Sequence, residues 1–171
     1  LKPLADIVAR MLALVEPIES VYELMESDPL LQFLSTTLHG LRRTVEPSPF
    51  EGLVSSILAQ LISIRGAAVI RGRLVQQFGQ RVTHEGQDYW TFLEPDAVHS
   101  ASVDQLCKIG MTGAKARAIL AVANASLAGE VDLDQLSALP DREVIRHLTT
   151  LPGIGQWTAE WFLINVLGRM T

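Results

Sequence analysis

Leu151-Pro152-Gly153-Ile154-Gly155-Gln156-Trp157-Thr158-Ala159 is the stretch on which the reading of this chain turns. An amphipathic segment, Asp141 to Thr149, leads into it, and a second helical segment, Gln156 to Gly168, leaves it. Gly153 and Gly155 carry no Cβ, so the backbone turns tightly there and another molecule can come close. The turn then presents orphan amide N–H groups at the start of the next helix, where the helix dipole favours negative charge. Such an end is a phosphate site built from backbone alone. Taken by itself, however, a Gly-x-Gly turn favours a plain helix pair with glycine as a C-cap.

The bulk numbers describe a compact globular chain. Of 171 residues, 48% are hydrophobic and 19% charged, which excludes a disordered protein and allows one sizeable core with a small appendage. No apolar run reaches the length of a membrane span, Phe162 to Leu167 being far too short, so no membrane partner is expected. The N-terminus, Leu1-Lys2-Pro3-Leu4-Ala5-Asp6, has no signal-peptide pattern and no initiator Met, so a fragment or processed product is expected. Cys107 is the only cysteine, which excludes an internal disulfide and any cysteine-built zinc or iron–sulfur site within these residues. It lies in the amphipathic run Val103 to Ile109 and reads as a core residue in a reducing compartment.

The net charge of −5 argues against a strongly electrostatic nucleic-acid binder. The basic residues are nevertheless grouped: Arg65, Arg71, Arg73 and Arg81 in one place, Lys108, Lys115 and Arg117 in another. Asp6 to Asp28 is acidic by contrast, with Glu16, Glu19, Glu23 and Glu26 between. A local basic face with an acidic back is one reading, and ordinary solvated helix surface is the other.

Helices are expected almost throughout. Asp28-Pro29 caps one that Gly40 ends, and Pro49 precedes a strongly apolar helix from Phe50 to about Ile64, with Leu53, Ile57, Leu58, Leu61 and Ile64 at helical spacing. A helix from Gly66 to Phe78 stops at Gly79, and Arg81 to Trp90 reads as a polar, irregular loop. Short helices follow at Pro95 and at Val103 to Ile109; Thr112 caps a long alanine-rich one to about Ala128, and Leu133 to Ala138 forms another. No segment alternates with a period of two, so no sheet is expected and the fold class is all-α. Leu106 to Lys115 is a fainter second helix–glycine turn–helix.

Three segments together resemble the helix-hairpin-helix DNA glycosylase superfamily, and within it the 3-methyladenine, broad-specificity alkylbase branch. They are Phe50 to Val54 with Ile57 to Ser63; Leu106 to Gly110 with Lys115 to Ala118 and Leu120 to Leu127; and Leu151 to Ala159. They follow the family's order and spacing over roughly Pro47 to Met170. The resemblance implies a glycosylase core over 47–171; ahead of it, 1–46 reads as an N-terminal helical segment, and the family's N-terminal sheet domain is not visible, since Leu1 to Leu41 reads as helical. It implies a base excision repair enzyme that hydrolyses the N-glycosidic bond of alkylated purines, with damaged double-stranded DNA as partner. The lyase-competent relatives have a Schiff-base lysine where this chain has Trp157; tryptophan has no amine, so a monofunctional enzyme is implied.

By the same resemblance, Trp157 and Trp161 line a pocket on which a flipped, electron-poor base stacks, with Gln60 at its edge. Leu61 matches the wedge that fills the hole left in the duplex. Gly153, Ile154 and Gly155 would hold a DNA phosphate through their amides, and Thr158 would add a hydroxyl contact. No cofactor is required, but a monovalent cation, Na+ or K+, is implied on the carbonyls of Thr149, Leu151 and Gly153. Read from spacing alone, Leu61, Gln60 and the Trp157–Trp161 pair are equally buried helix positions.

The chain departs from the family in one respect. The family's catalytic aspartate follows the second hairpin helix, and the sequence reaches Thr171 first, so the core is expected to be C-terminally incomplete and inactive or nearly so. Glu160 is directed away from the tryptophan face by helical geometry, and Asp132, Asp134 and Asp141 lie upstream in loops and caps. Self-association through uncovered apolar surface is a further expectation. The location expected is the bacterial cytoplasm with its nucleoid, or the nucleus of a eukaryote. A non-catalytic DNA-structure-binding module and a protein-binding helical scaffold are the competing classes.

Overall fold

A computed structural model describes residues 4–14 and 17–169. The chain divides into two compact units, Leu1–Pro47 and Ser48–Thr171. The first contains α1 (Leu4–Met11), α2 (Glu19–Met25) and α3 (Pro29–Thr37). Asp28 caps α3 by accepting from the amides of Leu30 and Leu31, with Pro29 at the first helical position. Tyr22 stacks on His39 with centroids 4.8 Å apart, and its hydroxyl accepts from the Gly40 amide.

The second unit runs α4 (Pro49–Ala59), α5 (Ile64–Phe78), β1 (Arg81–His84), β2 (Gln87–Trp90), α6 (Pro95–His99), α7 (Val103–Lys108), α8 (Gly113–Leu127), α9 (Leu133–Ala138), α10 (Asp141–Leu148) and α11 (Gln156–Asn165). Its centre is α4 against α8. Leu53, Val54, Ile57 and Leu58 are buried on α4, and Ala116, Ala118, Ile119, Val122 and Ala123 on α8. Small side chains on α8 let neighbouring backbones approach, so α4, α6 and α7 all pack on it. Phe162 and Leu163 of α11 close the core, with α10 alongside. Arg169 then folds back, pairing with Asp141 at 2.6 Å and donating to the Ser137 carbonyl at 2.8 Å.

The fold is all-α in its load, and two expectations are corrected. Residues 81–90 form an antiparallel hairpin, Val82 opposite Tyr89, rather than a loop. Its turn is Glu85-Gly86, both with positive φ (50° and 77°), the geometry of a two-residue hairpin. Both strands are exposed along their length, so no buried alternation marked them in the sequence.

The second correction concerns the helix expected from Phe50 to Ile64, which ends at Ala59. Gln60 turns out to φ −56°, ψ 127°, and α5 begins afresh under a Ser63 cap on the Gly66 amide. Leu61 and Ile64, counted among its apolar positions, are exposed instead. Among the described residues no helix is long and apolar enough to cross a membrane.

Leu53 is fully buried at the contact of α4 with α8. Leu53→Ala is expected to lower unfolding free energy by about 2–5 kcal/mol in a denaturant titration. A loss under about 1 kcal/mol would mean that the α4–α8 contact is not the core's centre.

Candidate nucleic-acid interface

The site lies where the α4–α5 loop meets the turn between α10 and α11. Gly153 sits in that turn at φ +79°, a conformation that disfavours any side chain. A Cβ placed there would lie 2.6 Å from the Ala118 Cβ of α8, so glycine is needed twice over. Gly155 differs: its φ is −92°, and nothing lies within 4 Å of where its Cβ would be. Nothing among the described residues requires a glycine at 155.

Gly155 is the N-cap of α11 and supplies no side-chain cap. The first amides of that helix, Gln156 and Trp157, are left without intrahelical partners. Ile154 is placed differently from its expected role: it is buried, and its amide donates to the Leu151 carbonyl at 3.1 Å. Ile154 therefore drops out of the expected donor set, and the unpartnered first amides of α11, Gln156 and Trp157, lie beyond it in the chain.

Gln60 joins loop to turn. Its Nε2 donates to the Gly153 carbonyl at 3.1 Å and to Thr158 Oγ1 at 3.2 Å. Thr158 is consequently an internal residue, 2% exposed, its hydroxyl accepting from Gln60. That corrects its expected role as a contact to a phosphate. Two of the three carbonyls implied as cation ligands also accept bonds within the chain, Leu151 from Ile154 and Gly153 from Gln60. Each carbonyl keeps a second lone pair, so the donor set is still compatible with a cation.

Leu61 follows directly, with φ 57° and a side chain 104% exposed relative to an extended reference. A left-handed backbone costs a non-glycine residue about 1–2 kcal/mol, and full exposure of a leucine adds no burial in return. Strain of this kind persists only where the surroundings over-determine it. Here they do: Gln60 is tied on one side, and Ser63 caps α5 on the other.

A cavity of about 500 Å³ opens beside Leu61, lined by Ala59, Gln60, Leu61, Gly155, Trp157 and Thr158. Trp157 is 61% exposed on its wall. Trp161 is not in that lining; one turn further along α11, it is half-buried against the core. Four residues advance a helix about 6 Å, which carries the second indole past the cavity mouth. The sequence paired the two tryptophans; the structure separates them.

Among the described residues no carboxylate lines this cavity. Glu160 accepts from Gln156 Nε2 at 2.8 Å, Asp132 caps α9, and Asp141 pairs with Arg169. Among the described residues no group of three or more His, Cys, Asp and Glu could hold a metal ion.

The basic groups are largely occupied within the fold. Arg71 pairs with Glu51 and lies over the Phe92 ring, Arg73 donates to the Ile109 carbonyl, and Arg81 pairs with Asp88. Lys115 is only 9% exposed, its Nζ bonded to the Leu58 carbonyl at 2.7 Å, and burial pushes its ammonium below the usual lysine range. Arg65, Lys108 and Arg117 remain exposed.

No family model matches the chain. In sequence it is similar to the DNA-3-methyladenine glycosylase of Bacillus subtilis, 30% identical over 146 residues that make 85% of this chain and 48% of the relative. It is also similar to DNA-3-methyladenine glycosylase 2 of Escherichia coli, 33% identical over 128 residues, 74% of this chain and 44% of the relative. The solved 3-methyladenine DNA glycosylase of Archaeoglobus fulgidus superposes with a TM-score of 0.82 at 29% identity, covering 97% of this chain and 56% of that one. The chain thus spans about half the length of the curated relatives it matches.

The two hairpin glycines are expected to separate by measurement. Gly153→Ala should cost about 2–5 kcal/mol of stability, through left-handed strain plus overpacking on Ala118. Gly155→Ala should stay within about 0.5 kcal/mol, as for a surface position. Equal costs in chemical denaturation would contradict the geometry.

Proposed function

From this likeness in sequence and fold to the helix-hairpin-helix DNA glycosylases, we propose that the chain carries the DNA-recognition part of a monofunctional alkylbase glycosylase. The enzyme hydrolyses the N-glycosidic bond of alkylated purines of the 3-methyladenine type in duplex DNA, and so acts wherever the cell keeps its DNA. The observation that carries the reading is the fully exposed, left-handed Leu61 beside a cavity walled by an exposed Trp157. An apolar side chain thrust from a rigid loop suits a gap in a base stack, and an exposed indole suits a base drawn out of it.

The amides at the start of α11, Gln156 and Trp157 with Gly155, hold a backbone phosphate, and the missing Cβ at 155 lets the strand approach. Leu61 enters the duplex where the damaged nucleotide leaves it. The extruded base stacks on Trp157; an alkylated purine is cationic, which adds roughly 0.5–2 kcal/mol of cation–π attraction. A monovalent cation on the carbonyls of Thr149, Leu151 and Gly153 would supply positive charge near the same phosphate. Trp157 offers no amine, so the bond breaks by hydrolysis and no Schiff base forms.

Hydrolysis also needs a carboxylate that steadies the oxocarbenium ion and orients water. With no carboxylate among the described residues of the cavity lining, the chain is proposed to bind damaged DNA and release little or no base. The same observation favours a second reading, a non-catalytic module that holds bent or damaged duplex.

The test is single-turnover base release from methylated duplex, run beside binding to a duplex carrying an abasic analogue. The expected result is binding tighter to the abasic duplex than to intact duplex by about tenfold, the unstacking cost being lowest there, without release. Equal affinity for the two duplexes contradicts the recognition reading. Base release contradicts the claim that these residues lack the acid, with Glu160 then the first residue to replace. Trp157→Ala should weaken binding to methylated duplex by about 1–3 kcal/mol, the worth of one base–aromatic stack, and leave intact-duplex binding unchanged.

A further inference from the structure

The sequence around Leu61 favours helix. Leu58, Leu61, Ile62 and Ile64 are apolar at helical spacing, and no glycine or proline interrupts them. Continuation of α4 through Leu61 would require the Leu58 carbonyl to accept from the Ile62 amide. In the structure it accepts from Lys115 Nζ at 2.7 Å instead, while the Gln60 amide bonds the Ile57 carbonyl.

Lys115 reaches that carbonyl from α8, 57 residues away, and is buried to do so. Lysine is seldom buried without a partner, because removing its charge from water is costly. A methionine or leucine would fill the same space without that cost. The last carbonyls of a helix carry partial negative charge and are the natural backbone partner for a buried ammonium. The cost of burial therefore secures one thing: a fixed end to α4 two residues before Leu61.

We propose that Lys115 is a positioning residue for the Leu61 wedge, holding the Leu58 carbonyl so that α4 stops and the loop thrusts Leu61 outward. Gln60, bonded to Gly153, ties the same loop to the hairpin from the other side. The wedge is thus preorganised in the free protein and does not wait for DNA to shape it. This inference rests on the reading of Leu61 as a wedge.

The experiment is a mutant cycle on the preference for an abasic-analogue duplex over intact duplex. It compares the unmodified chain, Leu61→Ala, Lys115→Met and the double variant. Lys115→Met should lower the preference about five- to tenfold and leave intact-duplex affinity within about twofold, and Leu61→Ala added to it should change little more. Factors that multiply in the double variant, or an equal loss on both duplexes, would overturn the inference and leave the wedge reading standing. No abasic preference in the unmodified chain would instead remove the wedge reading itself.

Lys115→Arg keeps a donor, and the cavity of about 230 Å³ beside Lys115 has room for the larger head group. It should restore the preference to within about twofold of the unmodified chain. A loss in the arginine variant as large as in the methionine variant would count against the role. Should Lys115→Met not fold, amide exchange at Ile62 in the unmodified chain decides. Rapid exchange agrees with an unbonded Ile62 amide, and protection matching that of α4 would overturn the proposal.

Discussion

The amide of Gln60 bonds two groups 93 and 98 residues away, the Gly153 carbonyl and the Thr158 hydroxyl, and the rest of the candidate interface depends on that bridge. It fixes the α4–α5 loop, which carries Leu61, against the glycine turn that starts α11. A wedge and a phosphate cradle are useful only at a set separation, because a duplex offers its backbone and its base stack at a set separation too. Two neutral hydrogen bonds contribute about 1–3 kcal/mol together, modest for the fold but sufficient to hold a short loop in one arrangement. On the far side of the turn, contact with Ala118 leaves no room for a Cβ at 153 and seats the hairpin on α8.

The interface is built with little formal charge, which reconciles a net charge of −5 with nucleic acid as the proposed partner. Backbone amides at a helix start attract a phosphate without a lysine or arginine. Three of the arginines grouped in the sequence, Arg71, Arg73 and Arg81, have partners within the chain, and the lysine expected on the surface is the most buried basic residue of its group. A net negative charge weakens long-range attraction to any duplex, so the proposed grip rests on short-range amide contacts.

How far the sequence could be read depended on the kind of information each feature leaves. Capping chemistry is local, so the ends of α3 at Asp28 and of α8 at Thr112 were visible. The glycine turn and its two helices were visible for the same reason. The end of α4 was not, because the partners found there come from distant parts of the chain, Lys115 on the Leu58 carbonyl and Gly153 and Thr158 on Gln60, against an apolar run that favours helix. Ser63, three residues before Gly66, was the one local hint of a new helix start. The hairpin 81–90 escaped because both its faces are exposed, although Glu85-Gly86 between β-formers was a turn signal. Trp157 and Trp161 share a helix face on paper, and only the position of the cavity mouth distinguishes the exposed indole from the packed one.

The loop at Leu61 and the start of α11 are proposed to form one DNA-facing surface. Amide hydrogen exchange with and without an abasic-analogue duplex addresses it most directly, since each segment reports separately. New protection is expected at Gln60 to Ile62 and at Gly155 to Trp157 together, with the exposed hairpin 81–90 unchanged. Protection of one segment without the other, or protection centred on the hairpin, would contradict it.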